Sequence, residues 1–141
     1  MQVQLNMAIY SIYHAQKNRI RPGMAKIGLS PGQPKVLSHL FRHNHCMQKE
    51  IAMALDIEPA TVSKILNNMV EAGLVERAPL AERKRAESVS ITEKGMLYYE
   101  KWRALCGEYE KLALRGFTET EKEQFSDYLS RMYGNLTGKA L

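Results

Sequence analysis

One stretch, residues 57–77, constrains the fold more than any other; it reads I-E-P-A-T-V-S-K-I-L-N-N-M-V-E-A-G-L-V-E-R. Pro59 suits a first helical position, where a missing N–H costs nothing, and Gly73 suits the left-handed position just past a last turn. Between them Val62, Ile65, Leu66, Met69 and Val70 recur at helical spacing and make one apolar stripe. Thr61, Lys64, Asn67 and Asn68 face largely away from it. The stripe predicts a helix held from behind. The polar face offers short donors and acceptors plus a cation, side chains that reach base edges and phosphates in a major groove, with Asn suited to adenine and Ser or Thr to several bases. A solvated polar face is the alternative for an isolated helix, so the flanking segments decide.

Upstream, Q-K-E-I-A-M-A-L-D-I is a short helix with Ile51, Ala52 and Leu55 as its buried stripe and a tight connection over residues 56–58, which is helix-turn-helix spacing. Downstream, L-V-E-R-A-P-L is strand-like, A-E-R-K-R-A-E is a charged tip and S-V-S-I-T alternates as a returning strand does. Helix, turn, helix and a hairpin tipped by Arg83, Lys84 and Arg85 is the layout of a winged helix. In that layout the second helix enters the major groove and the wing reaches backbone or minor groove. The expected DNA contacts are Gln48 on the first helix, Pro59, Ala60, Thr61, Ser63, Lys64 and Asn67 on the second, and the three cations of the wing.

These motifs, L-S-P-G-Q-P-K-V-L, Q-K-E-I-A-M-A-L-D-I, A-T-V-S-K-I-L-N-N-M-V-E-A-G-L-V-E-R and R-K-R-A-E-S-V-S-I-T-E-K-G, resemble the DNA-binding lobe of the MarR family of bacterial transcription regulators. Flanking helices fall where that family has them, so the resemblance extends over essentially the whole chain. It implies a mainly α protein with a small β-hairpin wing. Residues 30–93 would be the winged helix-turn-helix lobe, and residues 1–20 and 94–138 a helical dimerisation region formed by both termini. It also implies a homodimer on double-stranded DNA with a pseudo-palindromic operator, usually a repressor, released by a small, often aromatic or anionic effector. Effectors of the family bind between the dimer helices and the DNA-binding lobe, which makes Tyr13, His14, Lys17 and Trp102 the candidate ligand residues, with ordinary packing as the alternative. The wing departs from the family's Asp-x-Arg: Arg85 holds the Arg position, but Arg83 stands where the Asp would brace the loop.

The terminal segments carry apolar surface to match. Residues 3–20 read as a helix with Ile9, Ile12, Tyr13 and Ile20 on a broad apolar face, broken by R-P-G at Pro22 and followed by a loop over residues 26–29. Ser30 and Gln33 read as a capping box opening the next helix, with Pro34 awkward inside it and Val36, Leu37, Leu40 and Phe41 as its inner face. N-H-C-M ends that helix. The next one starts at Met47, where the family usually has a hydroxyl cap. Residues 92–115 predict a long helix with Tyr98, Trp102, Leu105, Tyr109 and Leu112 in one stripe and a bend or close packing at Gly107. Thr118 and Glu121 make a capping box for a last helix, with Phe125, Tyr128, Leu129, Met132, Tyr133 and Leu136 on one side and the final five residues frayed.

Composition narrows the function classes. One chain of 141 residues suits a single domain, and 20 Lys+Arg against 15 Asp+Glu give a formal net charge of +5 and a pI near 9.2. With cations gathered at one loop, that balance favours a polyanionic partner. No spanning segment or leader is visible, so a cytosolic protein with no membrane partner is expected. Cys46 and Cys106 read as two reduced thiols. An oxidant sensor at Cys46 beside a helix start, and a metal shared by His39 and His43 with His45 nearby, are the sharper alternatives. There is no P-loop, nucleophile elbow, zinc-protease motif or C-x-x-C, so no catalytic residue, metal site or cofactor is expected. A winged-helix protein-interaction module without DNA binding is the competing class, and an accessory domain of an enzyme a third.

Overall fold

The computed structural model describes residues 3–80 and 86–141. Along them the chain forms α1 (Leu5–Ile27), α2 (Gln33–Arg42), β1 (Cys46–Met47), α3 (Gln48–Leu55), α4 (Pro59–Glu71), β2 (Val75–Pro79), β3 (Glu87–Ile91), α5 (Glu93–Ala113) and α6 (Glu119–Thr137). Two compact units result, Met1–Cys106 and Gly107–Leu141. The mainly helical class with a small antiparallel hairpin is as the sequence predicts.

In the first unit the core is built where the helix-turn-helix meets the hairpin. Val36, Leu37 and Leu40 of α2, Ile51 of α3 and Val62, Leu66 and Met69 of α4 are fully buried, and Leu74, Val75 and Val89 close the layer from the hairpin side. Each fully buried Leu, Ile or Met side chain contributes roughly 1.5–3 kcal/mol of hydrophobic stabilisation. The stripe on α4 is therefore what fixes that helix, and its polar face is left outward as a consequence. The sheet has the order β1-β3-β2, with Val75 opposite Ile91, Arg77 opposite Val89 and Cys46 opposite Val89 from the other side. The strand β1 leaves no mark in the sequence; two residues are too few for alternation to register.

The end of α4 is closed tightly. Gly73 lies in the left-handed region, the Gly73 N–H donates to Val70 O at 3.0 Å and the Leu74 N–H to Met69 O at 2.9 Å, the paired bonds of a Schellman motif. The carbonyls left over are taken by the start of α5: Thr92 Oγ1 donates to Gly73 O at 2.6 Å, Lys94 Nζ to Ala72 O at 2.6 Å, and the Thr92 N–H to Leu74 O at 3.1 Å. Gly95 lets these two segments touch. A Cβ there would run into the Leu74 carbonyl oxygen and lie 2.8 Å from Ile91 Cγ1.

Several boundaries differ from the sequence expectation. The break at R-P-G does not occur: α1 continues through Pro22 to Ile27, so residues 26 and 27 of the expected loop are helical, and the helix ends at Gly28. Proline costs that helix one hydrogen bond, but packing offsets it, with Ile20 buried and Met24 and Ile27 against the core. Gly23 sits against Leu105, whose Cδ1 would be 2.6 Å from an added Cβ, so the residue that signalled a turn serves a helix contact instead. Ser30 is not the cap of α2, which starts at Gln33 behind Gly32; Pro34 thus falls in the first turn, where its missing N–H costs little. Gln33 still reaches back, its Oε1 accepting the Ser30 N–H at 2.9 Å. Phe41 is exposed rather than inward and lies against Tyr99, ring centroids 5.0 Å apart. On α5 the expected stripe is half-buried, and the fully covered aromatic is Tyr99. Close packing at Gly107 is not found, since a Cβ there would meet no described atom within 4 Å. At Met47 the missing hydroxyl is compensated by Glu50, whose carboxylate accepts the Met47 N–H at 2.6 Å.

In the second unit Thr118 and Glu121 form the expected reciprocal cap, at 3.2 and 2.7 Å. No residue of α6 is buried. Phe125, Tyr128, Leu129 and Leu136 are exposed there, as are Leu5, Met7, Ile9, Tyr10, Ile12 and Tyr13 on α1.

Because the Gly95 contact is backbone against backbone, it has little room to relax. Gly95→Ala is expected to destabilise the fold by about 1–3 kcal/mol, measured as a lower urea midpoint with an unchanged slope, whereas Gly107→Ala should be neutral or slightly stabilising.

Candidate nucleic-acid interface

The turn before α4 is set by Asp56 in the left-handed region, which lets the Ile57 N–H close back on Ala52 O at 3.1 Å. Pro59 then takes the first helical position, as its fixed φ favours, and Glu58 O accepts the Thr61 and Val62 N–H groups at 3.0 and 3.1 Å. From there the geometry follows from the stripe. With Val62, Leu66 and Met69 in the core, Pro59, Ala60, Thr61, Lys64, Asn67 and Asn68 are exposed together, and Ser63 is half-buried at the edge of that face. Gln48 is half-buried at the first turn of α3.

Two of these residues share a partner that sequence reasoning missed. Arg77 on β2 donates from Nη1 to Asn67 Oδ1 at 2.8 Å and from Nη2 to Gln48 Oε1 at 3.3 Å, while its Nε lies 3.9 Å from the Glu87 carboxylate across the hairpin. The signal was present: side chains alternate along a strand, so in V-E-R Arg77 falls on the same face as buried Val75, where a hydrophobe is the usual occupant. Beside it is a shallow cavity of about 230 Å³ lined by Gln48, Lys49, Arg77 and Glu87 among others. The wing cations Arg83, Lys84 and Arg85 lie outside the described residues. The hairpin's return strand is tied to the end of α2 by Asn44, whose Oδ1 accepts the Ile91 N–H at 3.0 Å, and by His45, whose Nδ1 is 2.6 Å from Ser90 Oγ.

A polar helix face backed by a helix-turn-helix core and a hairpin is matched by known proteins. Residues 27–86 match the model of the MarR family. The uncharacterized HTH-type transcriptional regulator YwoH of Bacillus subtilis is 30% identical over 130 residues, covering 92% of this chain and 90% of that protein. The chain belongs to the MarR family. The transcriptional repressor YetL of Bacillus subtilis is 24% identical over 139 residues, 96% of this chain and 82% of YetL. In fold, a MarR-family regulator from Listeria monocytogenes solved with a 26mer DNA superposes with a TM-score of 0.85 at 23% identity, covering 96% of this chain and 90% of that one. The protein is thus a DNA-binding transcription regulator of the MarR type.

The remaining candidates of this MarR-family chain separate into two places. Tyr13, His14 and Lys17 cluster on the exposed face of α1, with Tyr13 and His14 ring centroids 5.6 Å apart and Lys17 Nζ 6.0 Å from the Tyr13 ring. Trp102 is elsewhere, lining a groove of about 390 Å³ with Lys35, Ser38, His39, Arg42 and His43 of α2. The His39 and His43 rings lie 5.1 Å apart, tilted by 38°, neighbours as their spacing predicts, yet no group of three or more metal-ligating side chains forms among the described residues. Burial, and then the neighbouring His43, push the His39 imidazole below its ordinary value, against an opposing pull from Glu50.

Cys46 does not sit as a sensor would. It is buried in β1, and burial first, then the Glu50 carboxylate, raise its thiol above the ordinary value, so the thiolate that oxidants attack is disfavoured. Neither Cys46 nor Cys106 is in a disulfide among the described residues. In the folded protein, iodoacetamide at pH 8 should modify Cys46 at least tenfold more slowly than in urea, and peroxide should leave DNA binding of the wild type and of Cys46→Ser equal. Rapid labelling of Cys46 under native conditions, read by mass spectrometry, would contradict this.

Proposed function

We propose that this regulator binds double-stranded DNA as a homodimer, reads a pseudo-palindromic operator with α4, acts as a repressor and is released by a small aromatic or anionic effector. The observation that carries the reading is the division of α4: three residues of one face at 0% exposure in the core, and a continuous face of Pro59, Ala60, Thr61, Lys64 and Asn67 left outward. A rigidly backed face of short polar side chains suits base edges. Gln48 supplies a contact beside it, and Arg83, Lys84 and Arg85 of the wing supply further contacts, mainly to phosphate. Repression has the support of YetL, a relative named a transcriptional repressor.

Residues 30–93 are the DNA-binding lobe in this proposal, and residues 1–20 and 94–138 the dimerisation region. Exposed apolar side chains on α1 and α6 give those segments a reason to find a second copy, since exposed patches of Ile, Leu, Phe and Tyr mark association sites. Two-fold symmetry then presents two copies of α4 to half-sites about one helical turn apart. For the effector, the groove at Trp102 joins an indole to Lys35 and Arg42, chemistry suited to an aromatic anion, and Tyr13, His14 and Lys17 are a second candidate cluster. The chain has no enzymatic role in this reading. It works in the cytosol, and no described helix is long and apolar enough to cross a membrane.

Two measurements test the reading. Sedimentation at micromolar concentration should give a dimer, and the double change Tyr128→Asp with Leu129→Asp should disrupt it, because unpaired carboxylates are costly to bury. A stable wild-type monomer of equal helicity contradicts the dimer. On DNA, Asn67→Ala should cost about 1–3 kcal/mol per half-site on the preferred sequence and little on a scrambled duplex. Lys84→Ala should weaken both alike and flatten the salt dependence by about one unit for each phosphate that the side chain neutralises in the wild type. Fluorescence titration across a salt series reads both; no salt-dependent binding at all would favour a protein-interaction module instead.

A further inference from the structure

The Arg77 fork decides which atoms two of the candidate contacts can offer. An amide side chain carries an acceptor oxygen and a donor NH2 group, and the two-point match of Asn to adenine uses both at once. Here the oxygen of Asn67 already accepts from Arg77 Nη1 at 2.8 Å, and the oxygen of Gln48 from Nη2 at 3.3 Å. A guanidinium is planar and rigid, so one group fixes the orientation of both amides. It is itself held, since its side chain is only a quarter exposed on the inward face of β2 and its Nε faces Glu87 at 3.9 Å. Both amides are thereby oriented with their oxygens toward the protein.

We propose that Arg77 is a specificity-determining positioning residue: by holding the Asn67 and Gln48 oxygens toward its guanidinium it turns both side chains to present their NH2 donors, so that Asn67 favours an edge whose exposed groups accept, guanine O6/N7 or thymine O4, over adenine, whose N7 accepts but whose N6 amino group would face a second donor, and Gln48 donates to a phosphate oxygen. This rests on α4 being the base-reading element. It corrects the adenine preference that Asn67 would have if its amide were free to turn. The placement agrees with the roles of the two helices, because the first helix of a helix-turn-helix crosses the backbone while the second meets the bases. Phosphate oxygens and these base edges are all acceptors, so one fork prepares both contacts.

The test is a base-substitution titration at every position of the half-site, obtained by selection from random duplexes, for wild type, Asn67→Ala, Arg77→Met, Arg77→Lys and Arg77→Lys in the Asn67→Ala background. Asn67→Ala locates the base pair that Asn67 reads. At that pair the wild type should prefer guanine or thymine over adenine by roughly fivefold or more. Arg77→Met should bring adenine to within about twofold while leaving preferences at other positions unchanged. Arg77→Lys keeps charge and stem but loses the fork, so it serves as the fold-retaining variant if Arg77→Met unfolds; it should relax the same base pair and add nothing once Asn67 is Ala. A wild-type preference for adenine there overturns the inference. So does an Arg77→Lys variant that binds every sequence more weakly with its pattern of preferences intact, which would make Arg77 a plain phosphate contact. If Asn67→Ala changes no preference at any position, the base-reading role of α4 fails first, and the inference fails with it.

Discussion

The rest of the structure depends on how the C-terminus of α4 is held. A helix ends with carbonyls that have no partner within it; here Ala72, Gly73 and Leu74 give theirs to Lys94, Thr92 and the Thr92 backbone N–H. The same few residues thus end α4, close the hairpin and begin α5. Gly95 is required because the two backbones meet there without space for a side chain. Lys94 also places a cation at the negative end of the α4 dipole, a favourable site for it. With its end anchored and one face in the core, α4 has little freedom to rotate, and a helix that reads bases needs that rigidity more than it needs any single contact.

A second set of ties fixes the hairpin to the helices on its other side. Asn44 and His45 hold β3 to the end of α2, β1 adds a third strand, and Arg77 links β2 to both α3 and α4. The sheet is small, and a two-stranded ribbon alone is marginal in water. These polar ties and the buried Val75 and Val89 are what let a short hairpin stand beside α4 as a fixed element.

Much of this was legible in the sequence, for physical reasons that differ by element. The period of Val62, Ile65, Leu66 and Met69 and the punctuation by Pro59 and Gly73 gave α4 correctly, because burial and backbone geometry both leave marks on residue type; Val70, expected on the same stripe, is exposed at its edge. Thr118 and Glu121 did the same for α6. Pro22 and Gly23 misled, since a local breaker signal was overridden by tertiary packing against Leu105, which no local window contains. The strand β1 was too short to show alternation, and Phe41 lay on the helical stripe but stays exposed, packing at the edge of the core against the buried Tyr99. In the candidate interface the exposed α4 face followed from its buried stripe. The Arg77 network did not, because it joins residues 29 and 10 positions apart whose meeting is decided by the hairpin's register.

The central claim, that two copies of a rigidly held α4 read a symmetric site, is most directly tested by footprinting the protein on its selected duplex with a major-groove methylation probe and hydroxyl radicals. The account predicts two protected major-groove patches on one side of the duplex, related by a dyad and centred about 10–10.5 base pairs apart, each flanked by protected backbone. A single unpaired patch, or backbone protection with no protection in the major groove, would contradict it.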